Sequence, residues 1–191
     1  MARLWLCALG CALSSTALAV DEMDVHTPQR PIKLGSRAGV WTGPYSAPAV
    51  GGHIKLAPSN GVGLEGFADH TLRVGQGVAR HDHVIGFSAF APALLGTERW
   101  YVSPTIGSCV DFRIDSPLAD RTPSSSDVLF GVHGGGMAEV ALGRGWSLET
   151  TATAFLYVGN ETGVGDWTAS ASNKLHSSAV AQVLGSLNYR L

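Results

Sequence analysis

Apolar and polar side chains alternate along residues 100–115. Trp100, Val102, Pro104, Ile106, Val110, Phe112 and Ile114 share one face, which only Ser108 interrupts. Tyr101, Ser103, Thr105, Gly107, Cys109, Asp111, Arg113 and Asp115 share the other. Successive side chains of a strand point to opposite faces, so this pattern predicts one long strand between an apolar and a polar medium. It is longer than an ordinary strand, with Trp and Tyr at one end and charges at the other, as in a membrane-spanning β-strand.

Seven further segments repeat the alternation. Residues 34–41 set Leu34, Ala38 and Val40 against Arg37 and Trp41, and residues 52–57 set Ile54 and Leu56 against His53 and Lys55. In 62–69, Val62, Leu64 and Ala68 oppose Glu65, Phe67 and Asp69; in 83–93, Ile85, Phe87, Ala89 and Ala91 alternate with Gly86 and Ser88. Residues 127–141 place Val128, Phe130, Val132, Ala138 and Val140 opposite His133, Met137 and Glu139. Residues 146–158 place Trp146, Leu148, Ala152, Ala154, Leu156 and Val158 opposite Ser147, Glu149, Thr151, Thr153 and Tyr157. In 177–191, Ala179, Ala181, Val183, Leu187, Tyr189 and Leu191 oppose Ser178, Gln182, Ser186, Asn188 and Arg190.

The stretches between these strands read as long, short, long, short, long, short, long. The long ones are 43–50, 70–82, 116–126 and 160–174; the short ones are Pro58-Ser59-Asn60-Gly61, a turn around 96–98, and Gly143-Arg144-Gly145. An even strand number, short turns at one end and long loops at the other predict an all-β fold: an eight-stranded antiparallel up-and-down transmembrane β-barrel with short periplasmic turns and longer extracellular loops. Trp100, Trp146 and Tyr189 fall at the short-turn end of their strands, where interfacial aromatics are expected.

The start of the chain predicts export to the periplasm or beyond. Arg3, the apolar run 4–13 and Ala17-Leu18-Ala19 read as a signal peptide over 1–19, cut before Val20. A lipid on Cys11 is the competing cut, but Ala8-Leu9-Gly10 matches a lipobox poorly. Residues 20–31 read as a periplasmic tail and 32–191 as the barrel domain. Cys7 and Cys11 leave with the signal, so Cys109 is expected to be a lone packing thiol without a disulfide.

Composition changes the picture in two respects. Charged residues make up 15% of the chain, against roughly 25% in an average soluble domain, and there are 24 glycines, which suits a lipid-facing wall around crowded small residues. A net charge of −2 and the lack of a basic patch argue against a nucleic-acid partner. After the signal there is no apolar run of about 18 residues for a transmembrane helix.

Over essentially all of its mature length the pattern resembles the small bacterial outer-membrane barrels of the OmpA/OmpX kind. The last strand, with Tyr189 two residues before Leu191, resembles their C-terminal signal, with Leu191 where Phe is common. The resemblance implies a porin-like integral protein of the Gram-negative cell envelope, in contact with outer-membrane lipid and lipopolysaccharide and open to extracellular or periplasmic protein partners. A soluble, secreted lipocalin-like ligand carrier is the alternative, since it alternates with its apolar face inward. Against it, the polar face is dominated by Ser, Thr and Gly where a water-facing wall would carry many Lys and Glu.

Inside a membrane barrel, the inward charges would be Arg37, Lys55, Arg113 and Arg190 against Glu65, Asp69, Asp111, Glu139 and Glu149, with His133 among them. Eight strands enclose an interior that side chains nearly fill, so these groups are expected to pair as a polar plug. His81-Asp82-His83 puts two imidazoles on one side of a strand but offers no third defined ligand, so neither a metal nor a cofactor is assigned. His176 and Ser178 have the His-x-Ser spacing of a PagL-like lipid A deacylase, yet no Asp or Glu follows them. Gly134-Gly135-Gly136 lacks the strand-to-helix setting of a phosphate loop. The expected function is therefore a non-catalytic barrel with a structural or surface-interaction role, for which Arg73, Arg80, Asp120, Arg121 and Trp167 are loop candidates.

Overall fold

The computed structural model describes residues 32–42, 46–56, 62–75, 77–91, 94–97, 99–118, 124–160 and 175–191, with backbone alone at 160 and 175–178. The signal peptide and the tail lie outside the described residues, as do Asp120, Arg121 and Trp167. Nine strands follow one another: β1 (Ile32–Thr42), β2 (Ala47–Leu56), β3 (Gly63–Gly75), β4 (Val78–Phe90), the two-residue β5 (Leu95–Gly96), β6 (Trp100–Pro117), β7 (Ser125–Gly143), β8 (Trp146–Asn160) and β9 (Leu175–Arg190). Each long strand pairs antiparallel with its neighbours, β4 pairs β6 past β5, and β9 returns to β1. The result is a closed eight-stranded barrel.

Its two faces decide between the two readings of the alternation. Ile106 is 69% exposed, and Phe130, Val132, Leu148 and Leu156 also point outward, whereas Glu139 is 0% and Glu149 2% exposed inside. The apolar faces do not converge on one another. The lipocalin-like carrier is thereby overturned, because its apolar surface would line the interior.

Two stretches depart from the sequence reading: 43–50 was expected as a loop, but β2 already begins at Ala47, and the second is larger. Residues 70–82 were expected to form a long polar loop, but β3 runs to Gly75, β4 begins at Val78, and only 76–77 lie between them. Paired charges inside the barrel make the polar residues of this stretch good strand residues: Arg73, Arg80 and Asp82 are all buried. Arg73 and Arg80 are therefore lumen groups, not loop contacts. The strict alternation of long and short connections fails with them, since 43–46, 76–77, 118–124 and 161–174 lie at one end and 57–62, 91–99 and 144–145 at the other.

Proline in a closed ladder requires a local solution. Pro104 accepts a hydrogen bond from the Ala91 N–H (3.2 Å), just past the end of β4, so its missing N–H faces the Ala91 carbonyl. That carbonyl accepts a bond from the Ser103 hydroxyl instead. The chain also reverses tightly between β7 and β8, where Gly143 (φ 100°), Arg144 (φ 54°) and Gly145 (φ 85°) all occupy positive φ.

Candidate functional site

The interior is the most chemically dense part of the molecule, and strand parity builds it. At the end where β7 turns into β8, Lys33 from β1 reaches Glu139 on β7 at 2.6 Å, and the Tyr101 hydroxyl from β6 donates to the other Glu139 oxygen at 2.5 Å. Lys55 from β2 lies 2.5 Å from Glu149 of β8, 3.3 Å from the Met137 sulfur and 3.9 Å from Glu65. The Asn188 amide of β9 donates to the same Glu149 oxygen at 3.1 Å, and its carbonyl oxygen lies 2.8 Å from His53 Nε2.

A second layer centres on Arg37. Its guanidinium grips both oxygens of Asp69 at 2.6 Å, reaches Glu65 at 3.1 Å, and lies 4.4 Å over the Phe67 ring. A fork-to-fork geometry of this kind is the strongest form of carboxylate pairing. Gln182 donates to Asp69 at 3.1 Å. Ser88 and His133, 2.9 Å apart, border a small cavity with Arg37, Glu65 and Phe67.

Above this layer the lumen turns apolar. Trp41, Phe67, Val84, Cys109, Leu129, Phe155, Tyr157 and Val180 pack together, with Trp41 edge-on to Phe155 (5.9 Å) and to Tyr157 (6.1 Å). Cys109 is a buried free thiol 3.8 Å from the Tyr157 hydroxyl. Beyond the aromatic layer charges return. Asp82 bonds Arg113 at 2.8 Å, Arg73 at 3.0 Å and the Thr71 hydroxyl at 2.9 Å; Arg113 also holds Asp111 at 3.2 Å, and Arg80 takes both oxygens of Asp115 at 2.6 Å.

Arg37, Lys55, Glu65, Asp111, Arg113, His133, Glu139 and Glu149 thus all lie buried in the lumen; Glu65 links Arg37 to Lys55 and Glu149, while Asp111 and Arg113 stand apart beyond the aromatic layer. Sequence reasoning missed Lys33, Arg73, Arg80, Asp82 and Asp115. Lys33 precedes the alternation of 34–41, and the others fall in or beside stretches whose polarity on both faces patterns as loop. Glycine supplies the space: a Cβ on Gly35 would stand 2.1 Å from Asn188 Oδ1 and 2.2 Å from His53 Nε2.

Among the described residues, one buried group brings metal-ligand atoms together, and a second set of ligand-type side chains stands elsewhere. Ligand atoms of His53, Glu65 and Glu149 lie within 4.8 Å of one another, but Lys55 and Arg37 already pair with the two carboxylates. The second is on the outer wall. His81 and His83 do share a side, and the fold adds the third imidazole that the spacing lacked, His70, directly opposite His83.

Trp100, Trp146 and Tyr189 all point outward, and the Trp146 and Tyr189 rings meet at 4.9 Å. His176 and Ser178 sit on β9 opposite Gly159 and Tyr157; their side chains lie outside the described residues.

An all-antiparallel barrel of eight strands, apolar outside and polar inside, is the fold of the small outer-membrane barrels. Comparison with solved structures gives the same fold. The chain is similar to a major outer membrane protein from Thermus thermophilus (TM-score 0.56, 14% identity, covering 84% of this chain and 98% of that one). It is also similar to Neisserial surface protein A (TM-score 0.51, 12% identity, 84% and 96%) and to Ail, the attachment invasion locus protein of Yersinia pestis (TM-score 0.52, 10% identity, 84% and 96%). No family model and no curated protein matches the sequence.

Proposed function

We propose that the chain is a non-catalytic integral protein of the bacterial outer membrane, exported by a signal peptide over 1–19, with a structural or surface-interaction role. The observation that carries this reading is the inverted polarity of the barrel: outward Ile106, Phe130 and Leu156 against inward Glu139, Glu149 and Asp82, all buried. Lipid and lipopolysaccharide surround such a wall, and protein partners meet it at its ends. The barrels it is similar to include one named a surface protein and one named for attachment and invasion, which accords with a surface position.

The paired interior supports a plug rather than a pore. Lys33–Glu139, Arg37–Asp69 and Arg113–Asp82 pairs at 2.6–2.8 Å fill the cross-section where an open channel would need water. A non-catalytic role also means that lipid A acylation is the same in His176→Ala and Ser178→Ala cells as in the wild type.

Cell fractionation followed by gel electrophoresis with and without boiling tests the proposal. It predicts recovery in the outer-membrane fraction and a change of mobility on heating. Release in soluble form without detergent, or deacylation of lipid A that vanishes in the two variants, would overturn it.

A further inference from the structure

Where side chains are described, the outward face of the barrel strands carries no Asp, Glu, Lys or Arg. Three histidines are the exception, and they stand together. His70 on β3 faces His83 on β4 across the ladder, and His81 lies two residues further along β4 on the same side. The ring centroids are 4.6 Å apart for His70 and His83, 5.5 Å for His70 and His81, and 6.5 Å for His81 and His83.

These separations suit shared coordination. An imidazole nitrogen binds Zn²⁺ at about 2.0–2.1 Å, which puts each ring centre about 3.2 Å from the ion and two tetrahedrally arranged ring centres about 5 Å apart. The observed spacings bracket that value; the ring planes lie 10–35° from parallel, so the imidazoles must rotate to bring three nitrogens onto one ion.

We propose that His70, His81 and His83 form a binding site for a borderline transition-metal dication such as Zn²⁺ on the outer wall of the barrel. Imidazoles select such ions, whereas Ca²⁺ and Mg²⁺ require oxygen ligands that this face lacks. Asp82, between the two β4 histidines, points into the lumen, where Arg113 and Arg73 hold it. The residues paired with the triad, Val50, Leu72, Phe112 and Ile114, are apolar. Three protein ligands therefore leave at least one position open to water, as in exchangeable zinc sites.

The site lies at the membrane's edge. His83 pairs with Phe112, 12 residues along β6 from Trp100, a climb of about 30 Å at a rise of about 3.3 Å per residue and a strand tilt of about 40°. The apolar band of such barrels is about 25 Å tall. The triad thus faces the headgroup region at the far rim, where an ion can arrive from water. A bound ion would tie β3 to β4 beside their two-residue connection.

Titration of the folded full-length protein in phosphatidylcholine vesicles with Co²⁺ tests the site, since Co²⁺ replaces Zn²⁺ and reports its ligands by a visible spectrum. One equivalent is expected to produce the ligand-field bands, which excess Zn²⁺ removes. His70→Gln and His83→Gln should each weaken binding at least about 100-fold. Mobility of the unheated protein on gels reports the barrel separately from the spectrum, so loss of the site and loss of the fold are distinguishable. Absence of the bands in the folded wild type, or wild-type binding in a folded double variant, would overturn the proposal.

Discussion

Lys55 is 1% exposed, and the carboxylate that balances it, Glu149, is 2% exposed. Burying such a pair gains little over an apolar pair of the same volume, but removing one member leaves a charge in a low-dielectric interior and costs about 3–5 kcal/mol. The same reasoning applies to Lys33 with Glu139 and to Arg113 with Asp82. Urea unfolding from vesicles should therefore show Glu139→Ala and Arg113→Ala destabilised by about 3–5 kcal/mol, with much of the loss regained in Lys33→Met/Glu139→Leu. Unchanged midpoints for both single variants would contradict the paired plug. Gly35→Ala should also destabilise the barrel in the same assay, because its Cβ would push into the 2.8 Å contact between His53 and Asn188.

At the scale of elements, the hairpin of β3 and β4 shows what the sequence disclosed and what it hid. Strands whose apolar face is broken once, by Ser108 in residues 100–115 of β6 and by Thr150 in β8, were legible from alternation alone, and so was the inward set from Arg37 to Glu149. Residues 70–82 were not, because His70, His81 and His83 interrupt the apolar side while Arg73, Arg80 and Asp82 load the polar one. Polarity on both faces reads as loop in any pattern, yet the lumen neutralises one face and the outer rim solvates the other. The start of β2 was hidden differently: Ala47 and Ala49 are buried inside the barrel, so small apolar residues stand where polar ones mark the inside. Gly77, at φ 77° with nothing within 4 Å of its would-be Cβ, makes the short connection possible. Gly77→Ala should cost about 1 kcal/mol through backbone conformation alone, read from the same unfolding curves. A stabilised variant would show that this turn does not need positive φ.

For the molecule as a whole, eight strands close without a free edge, so the unpaired backbone groups that would bar an open sheet from lipid are satisfied around the ring. Ile106 lies 6 residues along β6 from Trp100, about 15 Å up the barrel and near the middle of a band about 25 Å tall. Ile106→Arg should cost about 2–4 kcal/mol of folding stability in vesicles, whereas the same change at a headgroup-level position costs about 0–1 kcal/mol. The most direct test of a lipid-facing wall is spin-label accessibility at Ile106→Cys, in a Cys109→Ala background, with the protein folded into vesicles. High collision with oxygen and low collision with a water-soluble nickel chelate is the predicted result. Free collision with the chelate, matched by protection from oxygen, would place Ile106 in water and contradict the account.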